Sequence, residues 1–411
     1  MRASGKAASG GRFLTIKDVP VAGRRALVRV DYNVPLDGDR IVDATRIRAS
    51  LPTINYLIEG GAAVILMSHL GRPKGRRDPR MSLRPVAATL AVLLDRPVRF
   101  VADALGAEAA AATAALQPGE VALLENVRFY PGDEANDSEM AAALAKHGDL
   151  YVNDAFGAAH RAHASTCGVA DHLPAVGGLL MERELDVLGG LLASPQRPFV
   201  VVLGGAKVAD KLGVVSALIE RCDVLALGGG MANTFLAAQS CELGRSLVER
   251  SLVERAAALL TAAQRRGVAV LLPQDLVLAG QARTGVPTLV AGSDDVPADL
   301  AAYDIGPATM VAVADAIATA ATVFWNGTMG VYEVPEFARG TAAIARAIAA
   351  ATRRGAVTVA AGGDSLAAVA AAGLEEGFSH LSTGGGAALE LLEGKVLPGV
   401  ACLDTGPAGR P

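Results

Sequence analysis

The strongest constraint on this chain is a recurring alternation. Short, nearly unbroken apolar runs end in glycine, asparagine or aspartate, and alanine- and leucine-rich stretches follow them. In the first half the runs are ALVRVDYN (26–33), AAVILMSHLG (62–71), VALLENVRF (121–129) and DLYVNDAFG (149–157). In the second half they are FVVVLGG (199–205), DVLALGGG (223–230), VAVLLP (268–273), ATVFWNG (321–327), AVTVAAGGD (356–364) and the weaker HLSTGGG (380–386). A strand that is apolar throughout must be covered on both faces. Such strands alternating with helices predict parallel sheets between helical layers. Two series of runs predict two doubly wound α/β domains, and 411 residues is more than one core usually serves. The join is expected near 182–198, where ERELDVLGGLLA is followed by SPQRP.

Bulk properties exclude several classes. Hydrophobic residues make up 51% and charged residues 19%, a globular balance. A net charge of −4 gives no bulk basic character for nucleic acid or a membrane surface. Cys167, Cys222, Cys241 and Cys402 are scattered without a C-x-x-C pair, which argues against a disulfide framework or a zinc site and suits a reducing cytosol. The start, MRASGKAASG, lacks the apolar segment of a secretory signal, and no apolar run is long enough to span a bilayer.

Ligands of doubly wound sheets gather beyond the carboxyl ends of the strands, and the unusual polar residues fall there. The first half delivers Asp31 and Asn33, His69 and Arg72, Arg128, and His160, Arg161 and His163, with Arg46 on a helix after Asp43. Arginine grips phosphate and carboxylate through a planar fork. A lone arginine is more often than not a solvated charge, but Arg72, Arg128 and Arg161 all follow strand exits, which favours a small, highly anionic ligand. The basic run 74–84 reads as a solvated loop. No histidine has the spacing of a zinc helix.

The second half offers glycines. GGAKVADK (204–211), LGGGMANT, DIGP, WNGTMGVYE and AGGDS each follow an apolar run. Backbone amides in such turns favour anions, and several on one edge favour a nucleotide. GGAKVADK does not fit the P-loop spacing. A helix starting near Ala206 would put Lys207 and Lys211 on one face, with Lys207 in its first turn. A cation is not helped there by the helix dipole unless an anion joins it. Asp364 is a candidate magnesium ligand, and Glu333 a candidate acceptor for a ribose.

At these residues the chain closely resembles the phosphoglycerate kinase family. The motifs are VRVDYNVP, SHLGRP, LLENVRFYPGDE, NDAFGAAHRAHAST, LGGAKVADKLGV, WNGTMGVYE, AGGDS and STGGGAALELLEGKVLPGV, in order from about residue 24 to 402. The resemblance implies a tail (1–11), a 3-phosphoglycerate domain (12–182), a hinge helix and linker (183–198), a Rossmann-like nucleotide domain (199–386) and a segment returning to the first domain (387–411). It implies that Asp31, Tyr32, Asn33, Arg46, His69, Leu70, Gly71, Arg72, Arg128 and Arg161 bind 3-phosphoglycerate or 1,3-bisphosphoglycerate. Lys211, Gly306, Glu333, Gly362, Gly363, Asp364 and Ser365 would bind ATP or ADP, with Mg2+ on Asp364. Arg46, Lys207 and the amides of Gly384, Gly385 and Gly386 would act on the transferring group. A cytoplasmic monomer is implied, with small-molecule substrates and neither nucleic acid nor membrane as partner.

Two positions depart from the family pattern. Thr328 stands where proline is usual, which is expected to loosen a turn near the nucleotide. Ala388 stands where serine is usual, and so lacks a hydroxyl in the domain-closing segment. Two other classes fit less well. A nicotinamide dehydrogenase needs a G-x-G-x-x-G fingerprint, and a solute-binding protein normally carries an export signal.

Overall fold

The computed structural model describes residues 13–405. The tail expected at 1–11 lies outside them. The chain divides into two compact units, Met1–Asp186 with Val396–Pro411, and Val187–Lys395.

In the first unit six parallel strands form one sheet: β1 (Arg25–Arg29), β2 (Ala63–Met67), β3 (Val98–Val101), β4 (Val121–Leu124), β5 (Leu150–Asn153) and β6 (Ala175–Gly177). Their order is β3-β4-β2-β1-β5-β6. Side chains alternate between two cores. Ala26 and Val28 pack with Val64 and Leu66 on one face, while Leu27 packs with Ile65, Met67 and Tyr151 on the other. This is why the runs are apolar at every position. The chain moves outward from β1 on one side and then crosses to β5 on the other. The loops after β1 and β5 therefore diverge at the switch point of the sheet.

The second unit repeats the plan. Its parallel strands are β7 (Phe199–Leu203), β8 (Val224–Leu227), β9 (Ala269–Leu271), β13 (Thr322–Asn326), β14 (Val357–Ala361) and β15 (His380–Ser382), in the order β9-β8-β7-β13-β14-β15. The switch point lies between β7 and β13. A smaller antiparallel sheet adds β10 (Asp275–Ala279), β11 (Leu289–Gly292) and β12 (Ala301–Ile305), in the order β11-β10-β12.

Two parallel sheets with interleaved helices match the expected class. The antiparallel sheet and the short strands β3 and β6 are additions to it. The helix expected from 183 begins earlier, at Leu179, and runs to Ala193. The crossing back to the first unit falls after Lys395 rather than at 387. From there Gly399 accepts a hydrogen bond from Asn153 Nδ2 (2.9 Å), and Asp404 pairs by backbone with Leu14 and Ala175. Among the described residues no helix is long and apolar enough to cross a membrane.

Candidate active site

In the first unit the polar residues converge at the carboxyl ends of β1, β2, β4 and β5. Asp31, one turn past β1, holds Arg46 Nη1 through Oδ2 at 2.9 Å. Arg46 projects from the helix Thr45–Glu59 and also reaches the Asn33 carbonyl at 3.3 Å. The Asn33 side chain accepts from the Gly71 N–H at 2.8 Å, tying the β1 loop to the β2 loop. Gly71 has φ +65°, a conformation that favours glycine. Its carbonyl takes Arg128 Nη1 at 3.0 Å. Arg128 is buried, and its Nε lies 3.6 Å from Glu134, too far for a hydrogen bond, so a charged donor is left unsatisfied inside the protein. Arg161 is half-buried, with Nε 3.0 Å from His160 Nε2. Arg72 is exposed and has no hydrogen bond or ion pair among the described residues.

Burial depresses the basicity of the His69 ring well below the ordinary histidine range, and Arg29, Arg128, Arg46 and Arg161 add to the effect. His69 is therefore neutral at physiological pH. The 4.0 Å approach of its Nδ1 to Asp31 is a polar contact and not an ion pair. Burial likewise lowers the pKa of Arg128, with Arg29 beside it. The half-site is thus rich in arginine, with Asp31, Asp133 and Glu134 as its nearby acids.

Two expected contacts are placed differently. The Tyr32 ring is wholly buried, with its hydroxyl 2.9 Å from Ser50 Oγ, and burial raises its pKa, so the phenol is a core group. Leu70 is buried, and its backbone N–H and C=O pair with the Asn126 side chain (3.3 and 2.7 Å). Asn126 is a residue that sequence reasoning missed. It also accepts the Arg128 N–H at 3.1 Å, so it fixes two loops of the site.

In the second unit the loops after β7 and β13 are bonded to each other at the switch point. Gly204 N–H donates to Asn326 O (2.9 Å) and Gly205 N–H to Thr328 O (2.8 Å). A Cβ on Gly204 would stand 2.1 Å from the Thr328 carbonyl, so the approach needs glycine. No helix starts at Ala206. Gly205 has φ +92°, residues 206–211 form turns, and the helix runs over Leu212–Ile219. Lys207 and Lys211 therefore do not share a helical face. Lys207 is exposed and unpaired among the described residues. Lys211 caps the helix and turns Nζ inward to the carbonyls of Gly204 (2.6 Å) and Asn326 (3.4 Å). Burial pulls its pKa down to about 8, against the pull of Asp364 and Asp210.

Beside these loops lies a cavity of about 490 Å³, lined among others by Gly205, Gly229, Arg245, Met329, Glu333 and Asp364. Its size suits a nucleotide-sized ligand. Asp364 is exposed in the first turn of the helix Gly363–Ala371, and Gly362 precedes that helix with φ +95°. Ser365 is buried and accepts the Gly327 N–H at 2.6 Å, so it fixes the β13 loop. Thr328 sits in a turn that is pinned on both sides, since Met329 N–H also bonds Thr341 Oγ1 at 3.0 Å. Gly306 precedes the helix Pro307–Ala318. The start of that helix is already filled by the Asp275 carboxylate, which accepts from the N–H groups of Ala308 and Thr309. Gly384 N–H bonds Ser382 Oγ at 3.1 Å. Gly385, with φ +49°, opens the helix Gly386–Leu392, and the N–H groups of Gly385 and Gly386 have no partner among the described residues. Arg245, Asp304 and Met329 were not anticipated as cavity residues. Their only sequence signal was proximity to glycine-rich turns.

The fold agrees with what comparison with known proteins shows. The family model described as phosphoglycerate kinase matches residues 16–395. The chain belongs to the phosphoglycerate kinase family. The phosphoglycerate kinase of Desulforudis audaxviator (strain MP104C) is 56% identical over 390 residues, covering 95% of this chain and 98% of that protein. The phosphoglycerate kinase of Herpetosiphon aurantiacus is 57% identical over 391 residues, with the same coverage. The solved structure of phosphoglycerate kinase from Coxiella burnetii superposes with a TM-score of 0.85 at 38% identity, and that from Pyrococcus horikoshii OT3 with 0.81 at 32%. Each covers 95% of this chain and 98% of the other.

Proposed function

We propose that this chain catalyses reversible phosphoryl transfer between 1,3-bisphosphoglycerate and ADP, giving 3-phosphoglycerate and ATP, the glycolytic reaction of its family. The observation that carries this reading is the first half-site. Arg46 from the helix Thr45–Glu59, with Arg128 and Arg161 from the loops after β4 and β5, surround a neutral His69, and Arg128 Nε is left as an unsatisfied buried donor. A small, multiply charged anion supplies the missing acceptors.

In the direction of ATP use the nucleophile is a carboxylate. With a reference pKa of ~4 it is already ionised at neutral pH, so no general base is required. The chain's task is to position the two substrates in line and to neutralise charge on the transferring group. Arg46 from the first unit and Lys207 from the second are the cations assigned to that group. The N–H groups of Gly385 and Gly386 are open donors beside them in this reading. Losing one preorganised donor of this kind costs about 3 kcal/mol in the barrier.

Lys211, Glu333 and the Gly362–Asp364 turn are assigned to the nucleotide. The site fits magnesium in its nucleotide-bound form. Asp364 offers one exposed carboxylate at the cavity, and an ion held there by a single carboxylate would take its other ligands from phosphate oxygens and water. When bound, Mg2+ supplies charge neutralisation to the phosphate oxygens. Because the half-sites lie on separate units, turnover requires a hinge motion that unites them and excludes water from the acyl phosphate. A cytoplasmic monomer is the corresponding reading of state and place.

The test is 31P NMR of the purified protein with 3-phosphoglycerate, MgATP and hydroxylamine, which traps an acyl phosphate as the hydroxamate with release of phosphate. The hydroxamate of 3-phosphoglycerate and ADP growing together support the reaction. ADP and free phosphate without the hydroxamate contradict it.

A further inference from the structure

Arg29 closes β1 and is wholly buried, yet no carboxylate lies within ion-pair distance of it among the described residues. Its Nε donates to Ser165 Oγ at 3.0 Å, one Nη donates to the Val30 carbonyl, and Nη2 lies 3.1 Å from His69 Nδ1. A guanidinium can only donate. His69 Nδ1 must therefore offer a lone pair, and the ring proton must sit on Nε2. The Nε2 atom has no hydrogen-bond partner among the described residues. Ser165 is itself anchored, because its N–H donates to the buried Asp133 at 3.1 Å.

We propose that Arg29 is a positioning residue for the anion half-site, holding His69 in the tautomer that presents Nε2–H to the ligand as a neutral donor. The inference deepens the substrate reading above and rests on it for the identity of the ligand. Every charged group facing His69 acts the same way except one. Arg46, Arg128 and Arg161 oppose protonation of the ring, whereas Asp31, 4.0 Å from Nδ1, favours it. The shorter contact with the donor-only Arg29 decides between them. The arrangement also leaves a buried positive charge without a counter-ion, which is unfavourable until an anion arrives. Arg29 thus works through another side chain and never touches substrate.

The first readout needs no variant. Long-range 1H–15N NMR of the free protein across pH 5 to 8, with His69 assigned by His69→Gln, reports which ring nitrogen carries the proton. The expected result is a bare Nδ1 and a protonated Nε2 throughout. A proton on Nδ1, or an ordinary titration near pH 6.5, overturns the proposal. In Arg29→Met the His69 signals should move toward a mixture of tautomers, and KM for 3-phosphoglycerate should rise about tenfold with a smaller change in kcat. Arg29→Lys keeps one donor and should restore part of the tautomer preference. An unchanged His69 pattern in a folded Arg29→Met protein also overturns it. If wild-type His69 behaves as expected but 3-phosphoglycerate leaves its Nε2 signal unmoved, the substrate reading fails while the role of Arg29 in fixing the ring stands.

Discussion

Arg46 Nη1 lies 2.9 Å from Asp31 Oδ2, so the cation assigned to the transferring group is already aimed by a carboxylate before any ligand is bound. About a third of the Arg46 side chain but only 10% of the Asp31 side chain is exposed, so the pair is partly buried and its loss is expected to cost some stability. Asp31→Asn is expected to lower the melting temperature modestly while lowering kcat/KM for 3-phosphoglycerate at least about tenfold. Calorimetry and steady-state kinetics on the same preparation check both parts. A large loss of stability with normal kinetics would make the pair a structural one.

Lys211 yields a pH prediction. With its pKa held near 8 by burial, it loses its charge as pH rises through that value. The kcat/KM for MgATP reports the free enzyme, and should be flat below about pH 8 and fall about tenfold per unit above it. Lys211→Arg should push that limb to higher pH. The stability effect has the opposite sign. The folded state sheds this proton before the unfolded state does, so the unfavourable burial of the charge is relieved as pH rises from about 8 toward 10.5. A pH profile with no alkaline limb near 8 would remove Lys211 from the nucleotide's phosphates.

Asp154, at the end of β5, is wholly buried. Its Oδ1 accepts the N–H groups of Leu180 and Met181 at the start of the helix Leu179–Ala193, while Oδ2 has no partner. Burial raises its pKa from 3.8 to about 7. The folded state holds this proton more tightly than the unfolded state. Its contribution to stability is complete below about pH 4, is lost as pH rises through 7, and is constant above. The stability of wild type relative to Asp154→Asn, whose side chain does not titrate, should fall over that window, measured by denaturant unfolding at several pH values. A relative stability of wild type that rises with pH would mean the carboxyl is ionised in the folded protein.

Much of the fold was legible because burial on both faces leaves little freedom. FVVVL, for example, is buried at all five positions, and such a run has to be a central strand. Strand β3 was missed because VRFV lies at the sheet edge, where Arg99 is exposed and the apolar run is broken. The antiparallel sheet was missed for a similar reason, since β11 is half-exposed along its length. In the half-sites, sequence position located the loops but not the direction of side chains. Tyr32 and Ser365 lie in the expected loops, yet each turns inward and serves the scaffold. The helix after β7 was placed too early because Gly204 and Gly205 read as a helix entry, whereas their tight approach to the β13 loop forces a turn first. Arg29 was hidden by its setting inside a strand motif, where a charged residue carries no sign of which neighbour it will meet.

The central claim is that one cation from each unit acts on the transferring phosphoryl group. The direct measurement is a coupled assay with 3-phosphoglycerate, MgATP, NADH and excess glyceraldehyde-3-phosphate dehydrogenase, run on wild type, Arg46→Ala and Lys207→Ala. The account predicts robust wild-type turnover and kcat losses of about 100- to 1,000-fold in both variants, with KM values changed far less. Near-normal kcat in either variant, with only KM raised, would assign that side chain to ground-state binding and contradict the claim.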